Sequence, residues 1–237
     1  NRLILELIKK YDGAFKVTFS ISGTVLEQFE KYAPEVIESF RELAKTGSVE
    51  FLAETYSHSL ASLISPDEFR HQVKLHSAVI ESCFGVKPKV FRNTELIYSD
   101  TIGAMVADMG YKAMLTEGAK HILGWKSPNY LYTNAINPRL KLLLKNFTLS
   151  DDIAFRFSDR NWEHWPLTSD KYAAWLASIL RKDEIVNLFM DYETFGEHQQ
   201  ASTGIFDFLK HLPGALLTSG NIKFDTPSGI CERHQPV

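Results

Sequence analysis

Residues 49–95, VEFLAETYSHSLASLISPDEFRHQVKLHSAVIESCFGVKPKVFRNTE, hold two short apolar runs separated by one long helical segment. The runs at 49–53 and 89–92 carry aromatic and β-branched side chains, which predicts strands. The segment 65–84 begins with SPDE, a capping-box signature with proline at the first helical position, and it ends before Gly85. A strand, a helix and a second strand in this order indicate parallel strands joined by a right-handed crossover.

The same alternation of strands and helices runs along the rest of the chain. Further strands are predicted at residues 16–22, 113–116, 142–146, 154–157, 185–190 and 222–225. Further helices are predicted at residues 1–11, 24–45, 99–109, 169–181 and 204–211. Such units form either a doubly wound sheet or a barrel, and the absence of a glycine-rich phosphate motif favours the barrel. The 237-residue chain has no Pro/Gly/Ser-rich linker, so we predict one catalytic domain over residues 1–237.

Composition excludes several classes of partner. The 26 basic and 29 acidic residues are interspersed and give a formal charge of -3, so no nucleic-acid partner is predicted. No apolar run approaches the roughly 18 residues of a transmembrane helix, so no membrane partner is predicted. Cys83 and Cys231 have neither metal-binding nor disulfide-framework spacing, which favours a reducing, cytoplasmic location.

Acidic residues follow several of the predicted strands. Glu54, Glu95 and Glu117 each end a strand, and Asp191 and Glu193 follow the apolar run VNLFM. The carboxyl ends of parallel strands gather at one rim, where active sites are built. A carboxylate in this position can instead cap a helix or fix a loop, and that alternative stays open for Glu54 and Glu117. Neither Glu95 nor Asp191 stands where a helix cap is expected.

Histidines accompany these acids. His58, His164 and His198 fall in loops beyond strands, whereas His71 and His76 fall inside a predicted helix, where we expect surface positions. A metal site needs several convergent histidines and carboxylates. No HxH or HxxxH spacing is present, so we predict no metal and no cofactor.

Two acids on different strands fit cleavage of a glycosidic bond, in which one carboxyl is protonated and the other ionised. Arg92 and Asn93 stand beside Glu95 and favour its ionised form. Aromatic and acidic neighbours favour the protonated form of Asp191, namely Tyr192, Glu193, Phe195 and Glu197. Glu95 is therefore predicted to be the nucleophile and Asp191 the acid/base.

Three longer segments resemble glycoside hydrolase family 57, in its α-amylase-like branch. VEFLAETYSHSL (49–60) is similar to the second conserved region of that family, and VFRNTELIYSD (90–100) is similar to the third, which carries the catalytic glutamate. LFMDYETFGEH (188–198) is similar to the fourth, which carries the catalytic aspartate. Shorter likenesses extend over nearly the whole chain.

The resemblance implies an α/β fold, an incomplete (β/α)7 TIM-like barrel, and a retaining double displacement on α-1,4-glucans or maltooligosaccharides without a metal. It assigns Glu95 as nucleophile and Asp191 as general acid/base. By the same matching, His58, Trp162 and His198 are expected to bind substrate. Arg92, Tyr192 and Phe195, which stand beside the two acids in the sequence, are predicted to bind substrate as well. The supporting residues expected behind them are Glu54, Asn93, Glu117 and Glu193.

Two departures from the family pattern lead us to expect a fragment of a longer enzyme. The first barrel strand with its His-Gln-Pro motif is missing, and so is the helical region after the barrel. His234-Gln235-Pro236 repeats the letters after the last helix and is interpreted as a chance match. The rival functions are a 4-α-glucanotransferase or branching enzyme, a metal-dependent polysaccharide deacetylase and a non-catalytic glucan-binding protein.

Overall fold

The computed structural model describes residues 1–219 and 222–237 and has an α/β fold. Its strands are β1 (Val17–Phe19), β2 (Val49–Phe51), β3 (Val90–Arg92), β4 (Ala113–Glu117), β5 (Leu131–Thr133) and β6 (Lys141–Lys145). The helices before β4 are α1 (Arg2–Lys10), α2 (Gly23–Tyr32), α3 (Pro34–Ala44), α4 (Ala61–Ile64), α5 (Pro66–Phe84) and α6 (Asp100–Asp108). The later helices are α7 (Lys120–Leu123), α8 (Phe147–Ala154), α9 (Ser169–Ile179), α10 (Ile205–Thr218) and α11 (Pro227–Arg233).

Parallel pairing dominates the strand contacts of the described residues. Strands β1 and β2 pair in parallel, and β3 pairs in parallel with β4 in a sheet of order β3-β4-β6-β5. Beyond the end of β2, Ala53 forms a parallel bridge with Phe91 of β3. Strand β5 lies outside the predicted elements and joins β6 as an antiparallel hairpin. The carboxyl ends of β2 and β3 therefore lie side by side, which places Glu54 near Glu95.

The chain folds into two compact units. The first comprises Asn1–Thr116, Leu131–Leu143 and Phe224–Val237, and the second comprises Glu117–Tyr130 and Leu144–Lys223. In the first unit, Phe51 of β2 stacks on Phe84 of α5 with ring centroids 4.3 Å apart, and Phe40 of α3 packs edge-on against Phe19 at 5.1 Å. This aromatic core fixes β1 and β2 against their helices. The single catalytic domain over residues 1–237 stays a prediction.

Several predicted elements are confirmed and others are wrong. The helix predicted at 65–84 is α5, capped by the Ser65 hydroxyl and ended by Gly85 in the left-handed conformation. The helix predicted at 24–45 is instead two helices, because proline at position 34 disfavours the helical conformation at Ala33, which has φ -153° and ψ 59°.

Three predicted strands are corrected by the structure. Residues 154–157 are the end of α8 and the turn that follows it. The helix α8 occupies this stretch because the Asn146 side chain caps its first turn at the Leu149 N–H. Within the described residues, the stretch 185–190 forms a single β-bridge, between Asn187 and Lys145. An apolar run can therefore lie outside a strand, without continuous pairing to a neighbouring strand. Residues 222–225 are irregular and are held by contacts such as the Phe224–Phe15 ring pair at 5.0 Å.

Candidate active site

Glu95 lies on a tight turn at the carboxyl end of β3. It sits within the 3-10 turn Thr94–Leu96 with φ 54° and ψ 24°, and Leu96 also has a φ of 54°. Non-glycine residues rarely adopt this left-handed conformation, which costs roughly 1–3 kcal/mol and persists only where surrounding contacts impose it. The Glu95 side chain is 70% exposed, so the turn presents its carboxylate to solvent.

Buried polar side chains impose this turn. Asn93 donates through Nδ2 to Ser62 Oγ and to the Ile97 carbonyl, both at 2.9 Å. The Thr94 hydroxyl lies 2.8 Å from the Thr55 hydroxyl, and both threonines are buried. Such contacts are costly to break in a buried setting. Asn93 therefore supports Glu95 through the backbone of the turn.

His58 bridges two carboxylates. Its Nδ1 lies 3.2 Å from Glu54 Oε2, and its Nε2 lies 3.1 Å from Glu95 Oε1. His58 also has a left-handed backbone, with φ 51°. The hydrogen bond with Glu54 raises the pKa of His58 above its ordinary value, and the contact with Glu95 adds to this against the effects of burial and of Arg92.

Glu54 is the buried end of this arrangement. Its Oε1 accepts from the Ser20 hydroxyl at 2.9 Å, and its Oε2 lies 3.7 Å from Arg92 Nη1. Burial alone would raise the pKa of the Glu54 carboxyl, but the hydrogen bonds from His58 and Ser20 and the charge of Arg92 lower it overall. Glu54 is therefore held as a carboxylate inside the protein.

The prediction of a surface position for His76 is wrong. His76 is 0% exposed, and its Nδ1 accepts the Glu54 backbone N–H at 3.1 Å while its Nε2 donates to the Ile21 carbonyl at 2.7 Å. Burial lowers the pKa of His76, which suits this neutral tautomer. The sequence signal for burial is the apolar stripe of α5 that includes position 76, formed by Phe69, Val73, Ile80 and Phe84. His71 is exposed, as predicted.

In the second unit, Asp191 opens a loop that is closed by backbone hydrogen bonds. The Asp191 carbonyl accepts the Thr194 N–H at 3.1 Å, and the Glu193 carbonyl accepts from the N–H groups of Glu197 at 3.1 Å and His198 at 2.9 Å. The Asp191 side chain is exposed and makes no capping hydrogen bond to the turn that follows it. The backbone of Asp191 is therefore held by hydrogen bonds, and its carboxyl group is exposed to solvent.

Gln199 anchors the far end of this loop. It is 2% exposed, its N–H donates to the Thr194 carbonyl at 3.1 Å, and its Nε2 donates to the Ala154 carbonyl at 3.0 Å. Gly196 has φ 123° and closes the loop by donating its N–H to the Gln199 carbonyl at 3.0 Å. A side chain at position 196 would be strained, which explains the glycine.

The predicted substrate contacts in this loop have separate environments. His198 is exposed and stacks on the Phe155 ring at 6.4 Å with an interplanar angle of 26°. Tyr192 is 50% exposed, and partial burial raises the pKa of its hydroxyl. Phe195 is half-buried, and Glu193 is exposed.

Residues 1–237 match the family described as Glycosyl hydrolase family 57. The chain belongs to glycosyl hydrolase family 57. This family 57 chain is 49% identical over 237 residues to the "Putative alpha-amylase" of Methanocaldococcus jannaschii and covers 50% of that protein. It therefore spans about half the length of this curated relative.

Two solved structures share the fold of the family 57 chain. A 4-alpha-glucanotransferase from Thermococcus litoralis matches with a TM-score of 0.80 at 18% identity, over 100% of this chain and 36% of that one. A "putative polysaccharide deacetylase" from Mycobacterium smegmatis matches with a TM-score of 0.69 at 17% identity, over 99% of this chain and 78% of that one. At these identities the likeness shows the fold alone.

Glu117 of the family 57 chain, predicted as a supporting residue, makes a loose ion pair. Its Oε2 lies 3.9 Å from Lys145 Nζ, which lies equally far, 3.9 Å, from Asp151. Ion pairs of this length at a half-exposed site contribute little to stability. Glu117 is the last residue of β4 and the first residue of the second unit, to which Lys145 also belongs.

Trp162 belongs to an aromatic cluster of the second unit. Its ring lies 5.4 Å from His164 and 6.2 Å from Trp175, and the Arg156 guanidinium lies 5.8 Å from its centroid. Arg156 is held by Asp152 at 2.7 Å. The cluster lines a cavity of about 460 Å³.

Each unit contains its own set of the predicted residues. In the first unit, contacts link Arg92, Glu54, His58 and Glu95 in a row, and Asn93 begins the turn that carries Glu95. The group in the second unit consists of Asp191, Tyr192, Glu193, Phe195 and His198, with Glu117 and Trp162 elsewhere in that unit. The pairing of Glu95 with Asp191 stays a prediction.

Within residues 1–219 and 222–237, no group of three or more histidine, cysteine or acidic side chains is arranged to hold a metal ion. In the same residues, no helix has the length and apolar character needed to cross a membrane.

Proposed function

We propose that this chain carries the two catalytic carboxylates of a retaining α-amylase-like enzyme that hydrolyses α-1,4-glucosidic bonds. Glu95 is the nucleophile and Asp191 the general acid/base. The chain is proposed to form an incomplete (β/α)7 barrel, which its parallel pairings and its likeness to the Thermococcus litoralis enzyme support. The substrate is an α-glucan or a maltooligosaccharide.

The observation that carries this proposal is the conformation of Glu95. A carboxylate that must attack an anomeric carbon has to be exposed, aimed and ionised. Glu95 is 70% exposed, and its left-handed backbone is imposed by buried Asn93 and Thr94. Backbone strain at an exposed acidic residue beyond a strand is a feature of functional sites and has no evident structural use here.

The reaction then proceeds in two displacements. In the first, a Glu95 oxygen forms a bond to the anomeric carbon while the glycosidic C–O bond breaks and Asp191 gives its proton to the leaving oxygen. In the second, Asp191 takes a proton from water, the water oxygen bonds to the same carbon, and Glu95 leaves as a carboxylate. The configuration at the anomeric carbon is inverted twice and so retained.

The test is chemical rescue combined with covalent labelling. In Glu95→Ala, azide can enter the space of the missing carboxylate, and a single displacement gives a glycosyl azide of inverted, β configuration. A 5-fluoroglycosyl fluoride should label the unchanged protein on the peptide that contains Glu95. Neither result is expected if Glu95 is not the nucleophile, and a label on another carboxylate would contradict the assignment.

Transfer and hydrolysis share the covalent intermediate and differ in what intercepts it. The fold likeness to a 4-alpha-glucanotransferase therefore keeps a transferase or branching enzyme as the alternative. Product analysis on maltoheptaose separates them, because hydrolysis gives only shorter oligosaccharides and transfer also gives longer ones. The deacetylase alternative requires that a chelator abolish activity and that added metal restore it, and we expect no such effect.

A further inference from the structure

We propose that Glu54 is the positioning residue of this active site and that it acts through His58 to aim and hold the Glu95 carboxylate. The inference rests on the proposed nucleophilic role of Glu95. It assigns a positioning function to Glu54 and His58.

The first support is the hydrogen-bonding capacity of imidazole. His58 faces a carboxylate oxygen at each ring nitrogen, at 3.2 Å on Glu54 and 3.1 Å on Glu95. A neutral imidazole donates from one nitrogen and presents a lone pair at the other. With both carboxylates ionised, both contacts are attractive only when His58 is an imidazolium.

The second support is the asymmetry of burial. Glu54 is 1% exposed and held by Ser20 and Arg92, with its own N–H fixed on buried His76. The Glu95 side chain is 70% exposed. Glu54, a buried charge with fixed partners, is the rigid end of this row of hydrogen bonds. The exposed carboxylate of Glu95 is the end that is oriented.

The third support is the backbone of the two partners. His58 and Glu95 both occupy the left-handed region, at φ 51° and 54°. A Glu54–Arg92 pair that served only stability would not require strain at His58. The strain places the imidazole between two carboxylates, which is an arrangement directed at Glu95.

This arrangement assigns different tasks to the oxygens of Glu95. Oε1 accepts from His58 Nε2, so Oε2 is left to attack the anomeric carbon. When the ester is later cleaved, negative charge returns to the carboxylate, and the His58 N–H stabilises it. The charged groups that face His58 are Glu54, Glu95 and Arg92, and loss of the Glu54 charge weakens the hold on its proton.

The test is Glu54→Gln, which keeps the size of the side chain and an oxygen acceptor for Ser20 but removes the charge. We expect kcat to fall about 10- to 100-fold, as for a misaligned catalytic group, with KM changed less than about twofold. The NMR titration of the His58 ring should move to lower pH, because the negative charge that holds its proton is lost. Glu50→Gln is the matched control, because Glu50 lies on β2, the strand that leads to Glu54, and binds Ser228 instead.

A gentler variant covers the case in which Glu54→Gln does not fold. Ser20→Ala removes one hydrogen bond that positions Glu54 and should lower kcat by a smaller factor, with KM little changed. If a folded Glu54→Gln protein keeps the His58 titration of the unchanged protein, or a folded Ser20→Ala protein keeps its kcat, the inference is wrong. A covalent label found away from Glu95 would remove the nucleophile assignment, whereas the NMR titration tests the link from Glu54 to His58 independently.

Discussion

The two acidic segments are held in different ways. Around Glu95, charged side chains hold the carboxylate itself, through His58 to buried Glu54 and Arg92. Around Asp191, backbone hydrogen bonds and buried Gln199 hold the loop, while the carboxyl group is exposed. The contrast fits the proposed roles, because a nucleophile must stay ionised and aimed, whereas an acid/base must gain and lose a proton in each cycle.

The largest expected effect is that of Glu95→Gln. The amide cannot form the covalent intermediate, so kcat should fall by roughly 10³-fold or more with every substrate. Steady-state rates on maltoheptaose and on an aryl α-maltooligoside measure this. Glu81→Gln, an exposed change on α5, is the matched control and should keep its rate. Comparable turnover in Glu95→Gln and the control would show that Glu95 is not the nucleophile.

The next effect sharpens the difference between the two acids. Asp191→Asn removes the proton donor, so cleavage of an oligosaccharide should slow about 10²- to 10⁴-fold. A substrate with a good leaving group, such as a glycosyl fluoride, needs no proton and should lose much less in its first displacement. Pre-steady-state measurement of both substrates, with Asp170→Asn as an exposed control, checks this. Equal losses with both substrates would contradict the acid role.

A third pair of variants compares the supports of the two segments. Asn93→Ala removes two hydrogen bonds from the Glu95 turn, and Gln199→Ala removes one from the Asp191 loop. Each should lower the free energy of unfolding by roughly 1–3 kcal/mol, because a buried partner is left unpaired. Denaturant unfolding measures the stability, and the leaving-group dependence should match Glu95→Gln for the first variant and Asp191→Asn for the second. The same leaving-group dependence in Asn93→Ala and Gln199→Ala would show that Asn93 and Gln199 do not act on different catalytic residues.

The sequence predicted these segments with uneven success. The strand-end acids and the helix α5 follow from local rules, since an apolar run, a capping box and a terminal glycine act within a few residues. The contact between His58 and Glu95 joins residues 37 positions apart and depends on left-handed backbones that no short motif specifies. The burial of His76 also follows from a local rule, because position 76 lies in the apolar stripe of α5, and the polar residue type alone gives the wrong prediction.

The smallest expected effect is the pH dependence of stability. The folded pKa of Glu54 is lowered, so its contribution is present above the ordinary value of 4.5 and is lost as the pH falls through the lower folded value. The folded pKa of His58 is raised, so its contribution is complete below 6.5 and is lost as the pH rises through the higher folded value. The two contributions are therefore both complete between about pH 4.5 and 6.5.

His58→Gln should remove the part of this dependence that lies above pH 6.5, the ordinary histidine value. The Tm difference between the unchanged protein and the variant should be largest on the acidic side of neutrality and should shrink as the pH rises. Thermal unfolding at several pH values measures it, and His71→Gln, an exposed histidine on α5, should show no such trend. A Tm difference that grows with pH would mean that His58 is neutral between Glu54 and Glu95. The Glu95 carboxylate would then lack the charged partner that distinguishes it from Asp191.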